Sequence, residues 1–236
     1  ESQDSARPYQ NWNERITEEC YAPNTASRIH TDEGNILDVI NNYSRISFNF
    51  GPTLLSWLER FAPEVYLAIL KADKSGQQFY SGHGTAIAQA YNHMIMPLAN
   101  ERDKRTQVLW GIRDFESRFK RKPEGMWLPE TAVDVPTLEA LATQGIRFTI
   151  LAPHQAKRIR KIDTGEWQDI EPSTFDIQRP YQCTLPSGQT IILFFYDGPA
   201  SHDIAFGGLL KSGLDFAKRL VALFHEDKQE RFVCCA

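Results

Sequence analysis

Apolar positions along the chain fall into short runs separated by amphipathic stretches. Residues 45–50 (RISFNF) have strand composition and stop at the Gly51-Pro52 breaker. Thr53 is then placed to cap a helix carrying Leu54, Leu55, Trp57, Leu58 and Phe61. Pro63 interrupts it, and a second helix is expected from Glu64 toward Lys74. Residues 82–89 read as a short strand. Beyond Asn100, a helix cap, Val108, Ile112, Phe115 and Phe119 recur at helical spacing and share one face, while mixed charges cover the other.

The second half repeats the theme. Residues 125–128 form a short strand ending at Pro129-Glu130. Asp134 and Pro136 open a helix with Leu138, Leu141 and Ala142 inward and Gly145 as its stop, and residues 146–152 return to strand. Residues 181–185 and 190–196 flank a Pro-Ser-Gly-Gln turn as a β-hairpin. Ser212 with Asp215 resembles a capping box ahead of Leu214, Ala217, Val221 and Phe224 on one stripe, and residues 232–235 are the next expected strand. The first thirty residues are polar and irregular. Strand, helix, strand, helix, strand in the middle favours an α/β fold with parallel strands and crossover helices. The expected organisation is one domain over residues 1–236 with a hairpin insertion at about 165–195.

Composition narrows the function classes. The 236 residues are 42% hydrophobic and 24% charged, which excludes a disordered, collagen-like or disulfide-scaffold chain. A net charge of -4 offers no basic excess, so no nucleic-acid partner is expected. No apolar run approaches the roughly 18 residues of a membrane span, so no membrane partner is expected either. Cys20, Cys183, Cys234 and Cys235 form no CxxC pair, and a reducing, cytoplasmic setting is the expectation. The chain opens on Glu1 rather than Met and closes on a strand-like run, so it is expected to be a piece of a longer protein.

In parallel α/β folds, functional residues gather at the carboxyl ends of strands. Polar residues bordering apolar runs are therefore the candidates: His83, His93, Glu130, His154 and Asp197. Glu130, held behind a strand and a proline, could attack an electrophilic carbon or exchange a proton; its plainer role is a helix cap or an ion pair. Asp197 lies in an Asp-Gly turn signal and could equally be a cap. His93 and His154 could be satisfied structural histidines. Trp127 could face a sugar ring or belong to the core. No HExxH, HxxxH or Walker pattern occurs, so neither metal nor cofactor is expected. Ser201, His202 and Asp203 are mere chain neighbours, and adjacency does not make a triad.

Read together, Trp127-Leu128-Pro129-Glu130, residues 91–98 (YNHMIMPL) and residues 193–197 (LFFYD) resemble glycoside hydrolase family 57, within a bacterial subgroup of large proteins. The similarity runs from about Trp12 to Gly198. It implies an incomplete (β/α)7 barrel acting on α-glucans with retention, as a hydrolase or glucanotransferase. It also implies Glu130 as nucleophile and His93 on the substrate-binding rim of an oligo- or polysaccharide site. Retention asks for a second carboxyl about 5–5.5 Å away as acid/base. The family's first His-Gln-Pro-like motif would lie upstream of Glu1, and its acid/base Asp past Ala236. Asp197 is then left to binding or support, alongside His83, Trp127 and His154. Little or no turnover is expected from these 236 residues alone. Two other classes stand beside this one. A metal-dependent polysaccharide deacetylase would need an Asp and a close His pair, whereas His83 and His93 are ten residues apart. A non-catalytic carbohydrate-binding barrel is the other.

Overall fold

A computed structural model describes residues 3–162, 165–171, 175–224 and 231–236. The expected insertion at about 165–195 falls partly outside them, at residues 172–174. The backbone groups into two compact units, Glu1–Pro129 and Glu130–Ala236.

The first unit begins with short helical segments, in a stretch where any regular structure was expected to be short. Asn11 accepts from the Glu14 N–H at 3.0 Å, and the Glu14 carboxylate returns to the Gln10 N–H at 3.0 Å. This reciprocal cap starts α1 (Trp12–Ile16), which runs through a π-helical turn (Thr17–Tyr21) into α2 (Ala22–Thr25). Pro23 sits in the first turn of α2, directly after the π-helical turn. A hairpin that the sequence reading did not anticipate follows, β1 (Ser27–His30) antiparallel to β2 (Ile36–Ile40).

Helices α3 (Pro52–Phe61) and α4 (Pro63–Phe79) each start on a proline. Gly51 rather than Thr53 is the N-cap of α3, and α4 continues past Lys74. Strand β3 is only Ala88–Gln89. It pairs in parallel with β4 (Met126–Trp127), the two being joined through α5 (Glu101–Phe119). Residues 45–50 contribute a single parallel bridge, Phe48 to Ala86, in place of a full strand. Asn100 caps α5 as expected, accepting from Asp103 N–H at 2.9 Å. Val108, Ile112 and Phe115 are buried on its inner face.

In the second unit Asp134 caps α6 (Val135–Thr143), accepting from Thr137 N–H at 2.8 Å. Strand β5 (Phe148–Leu151) follows, then a small hairpin, β6 (Arg158–Ile159) with β7 (Gln168–Asp169). Strands β8 (Tyr181–Thr184) and β9 (Thr190–Phe195) form the antiparallel hairpin read from the sequence. That hairpin is not a mere insertion: β9 also pairs in parallel with β5, from Phe148↔Ile192 to Leu151↔Phe195. Strand β9 is the central strand of the three, with both edges paired; Ile191 and Phe195 are buried and the three residues between them half-buried.

The unit closes with α7 (Gly198–Ala205) and α8 (Gly213–Val221). Ser212 caps α8, but its apolar stripe faces outward among the described residues, with Leu214 65% and Val221 70% exposed. Helical period fixes which residues share a face, not what covers it. Residues 232–235 form no strand ladder; they make isolated bonds, Asp197 N–H to Cys234 O at 2.7 Å and Phe232 N–H to Gln178 O at 3.3 Å. Among the described residues no helix is long and apolar enough to cross a membrane.

Candidate active site

The chain leaves β4 through buried Leu128 and Pro129 and makes a single tight turn, Pro129–Thr131. Two consecutive residues there take left-handed backbone: Glu130 at φ 57° and Thr131 at φ 52°. Each such L-residue costs about 1–2 kcal/mol, and a β-branched Thr is the less comfortable of the two. Strain of this kind persists only when the surroundings over-determine it, and it concentrates at functional sites. Glu130 itself is exposed.

A second turn holds the first. Directly after β5, residues Pro153–Gln155 make one 3-10 turn. Gln155 Oε1 accepts from Ala152 N–H at 2.8 Å, and its Nε2 donates to Thr131 O at 2.7 Å. His154 lies exposed in the same turn. Asp197 follows β9 and caps α7, accepting from Ala200 N–H at 2.7 Å. Because Leu151 and Phe195 are register partners in parallel strands, His154 and Asp197 emerge from the same end of the sheet. Within this unit the geometry therefore gathers the Glu130 turn, His154 and Asp197 at one strand end. The plainer reading of Asp197, a helix cap, is the one its oxygens display.

In the first unit Trp127 closes β4, half-buried, beside Gln89 at the matching end of β3. Asn49 donates to Gln89 Oε1 at 2.6 Å. His93 stands exposed on the loop after β3. His83 does not join these residues. It precedes β3, at the opposite strand end, where its Nδ1 lies 2.8 Å from Glu124 Oε2 ahead of β4. Sequence order placed His83 next to an apolar run but not at the run's carboxyl end. Gln89, Asn49 and Gln155 were missed, although each follows or ends an apolar run as the chosen candidates do.

A cavity of about 310 Å³ in the first unit is lined by Cys20, Tyr21, Tyr43, Phe48, Asn49 and Phe50, among others, and by none of the expected site residues. Burial raises the Tyr43 hydroxyl well above its ordinary range, with Cys20 and Tyr21 adding to the effect. Among the described residues no three His, Cys, Asp or Glu side chains are grouped so as to hold a metal ion.

The model of glycosyl hydrolase family 57 matches residues 7–233, a span that includes the parallel strand pairs and the Trp-Leu-Pro-Glu turn. The chain belongs to glycosyl hydrolase family 57. Alpha-amylase 1 of Dictyoglomus thermophilum is 26% identical over 107 residues, covering 45% of this chain and 15% of that protein. The crystal structure of an exo-type maltose-forming amylase from Pyrococcus sp. ST04 superposes with a TM-score of 0.64 at 17% identity, over 93% of this chain and 32% of the other. That of a 4-alpha-glucanotransferase from Thermococcus litoralis gives 0.51 at 18% identity, over 72% and 24%. At such identities the structural likeness speaks for the fold. This family 57 chain spans less than a third of the curated amylase and about a third or less of both solved enzymes.

Proposed function

We propose that this chain carries the nucleophile of a retaining enzyme acting on α-glucans, as a hydrolase or a glucanotransferase, and that the nucleophile is Glu130. The strained, exposed carboxylate after β4 carries this reading. In the reaction a Glu130 oxygen bonds to the anomeric carbon as the bond from that carbon to the leaving oxygen breaks. An acid/base carboxyl from outside residues 1–236 protonates the departing oxygen. It then takes a proton from water or from an acceptor hydroxyl, which releases the glycosyl group from Glu130 with net retention.

His93, Trp127 and His154 are the proposed contacts to sugar: two exposed imidazoles able to bond hydroxyls and an indole face able to meet a ring. Asp197 supports by fixing the start of α7. His83 is left out on its placement. The matched span 7–233 takes in most of both compact units, which supports reading them as parts of one catalytic domain of (β/α)7-barrel type.

The test is covalent trapping in the complete protein. A fluorinated glycosyl donor slows release of the intermediate, and peptide mapping then locates the label. Labelling of Glu130, lost in Glu130→Gln, is the expected result. A label on any other carboxylate overturns the assignment.

A further inference from the structure

We propose that Gln155 is a positioning residue for Glu130, holding the nucleophile's turn against the end of β5. The inference rests on the reading of Glu130 as nucleophile. Both halves of the Gln155 amide are committed. The Ala152 N–H can only donate, so the group facing it is the amide oxygen, 2.8 Å away. That orientation turns Nε2 toward Thr131 O, which can only accept, 2.7 Å away. A glutamate of the same reach offers the acceptor at neutral pH but not the donor. Ala152 is itself buried and sits one residue beyond β5, whose last residue Leu151 is paired with Phe195. The amide thus transmits the position of a two-stranded parallel pair to the carbonyl next to Glu130.

The turn needs such a tether. Glu130 and Thr131 both occupy left-handed backbone that an unconstrained chain of L-residues leaves readily. If the Thr131 carbonyl is released, relaxation of either φ swings the Glu130 Cα–Cβ bond. A displacement of the order of 1 Å at a reacting group costs about 100-fold in rate. Gln155 touches neither sugar nor the reacting atoms on this account; it acts through the turn.

The experiment measures the rate of Glu130 labelling by the fluorinated donor in the complete protein, with thermal unfolding recorded alongside. Gln155→Met keeps the bulk and removes both bonds. It is expected to lower the limiting labelling rate 10- to 100-fold while the half-saturating donor concentration changes less than about threefold. Gln155→Glu still accepts from Ala152, but as a carboxylate it repels Thr131 O. Protonated, it donates to Thr131 O. Its deficit relative to the wild type at each pH is therefore expected to shrink as pH falls from 7 toward its carboxyl pKa, about 4.3 unperturbed. A purely structural glutamine would give no such profile. Labelling of Gln155→Met at the wild-type rate overturns the proposal and leaves Glu130 as nucleophile. If Gln155→Met does not fold, a pH-independent deficit in Gln155→Glu overturns it instead. Wild-type label found away from Glu130 overturns the functional reading, a separate outcome.

Discussion

Arg121 grips Asp73 with two bonds, Nη2 to Oδ1 at 2.6 Å and Nε to Oδ2 at 2.9 Å. The same Nη2 donates to Ala86 O at 2.7 Å, and Ala86 N–H donates to Asp73 Oδ1 at 2.8 Å. Asp73 is 1% exposed and Arg121 16%, so the carboxylate has been withdrawn from water and is held by a closed set of bonds. It pins α4 and the end of α5 to the segment entering β3. Gly84 is part of the arrangement, since a Cβ there would strike both the carboxylate and the guanidinium.

Removing one partner should therefore cost more than the pair contributes. Asp73→Ala leaves the Arg121 guanidinium, 16% exposed, without its anion and the Ala86 N–H without its acceptor, and is expected to lower stability by about 3 kcal/mol. The fall is read as a shift of the urea midpoint at unchanged slope. A shift under 1 kcal/mol would mean that water reaches the pair.

At Thr131 the sign reverses. Glycine adopts φ 52° without steric cost, so Thr131→Gly is expected to raise stability by up to about 1 kcal/mol, or about 2–4 °C in Tm. An unchanged or lowered Tm would show that the turn is not strained.

Asp197 separates capping from chemistry. Asp197→Ala removes the acceptor for Ala200 N–H and is expected to cost about 1 kcal/mol, while Asp197→Asn keeps the cap and costs a few tenths. With Asp197 in the proposed supporting role, Asp197→Asn in the complete protein should label at Glu130 within about threefold of the wild-type rate. A loss beyond 100-fold would make this carboxylate a participant.

Local signals were the legible ones. Asn100, Asp134 and Ser212 announce α5, α6 and α8 because a cap needs only residues within one turn. The β8–β9 hairpin was legible for the same reason. Strand partners were not: Phe48 finds one bridge at Ala86, and β9 finds β5 some forty residues away, from information no window of sequence contains. The helical run through α1 and α2 hid behind Pro23 and its polar neighbours. For the site, Glu130 was legible as a residue but its left-handed backbone was not, and Gln155 became visible only through its bond to Thr131 O.

Cys234 supplies the pH prediction. Burial, with Cys235 beside it, pushes its thiol from an ordinary 9.0 to about 11. The protonated form is the one the fold favours. Its contribution is complete below the unfolded value near 9 and is lost as pH rises from there through 11. At pH 8 the thiolate fraction is about 100-fold below that of an unperturbed cysteine. Iodoacetamide should therefore modify Cys234 about 100-fold more slowly in native protein than in urea. Equal rates would place the thiol in solvent.

At position 130, folding and chemistry want different amino acids. The left-handed slot would hold glycine at lower cost than it holds Glu130. A change from Glu130 to glycine would remove the carboxylate proposed to react and ease the backbone in one step. On the proposed role of Glu130, relief of its backbone thus offsets part of the cost of losing the side chain, so selection to keep the carboxylate works against a local conformational preference.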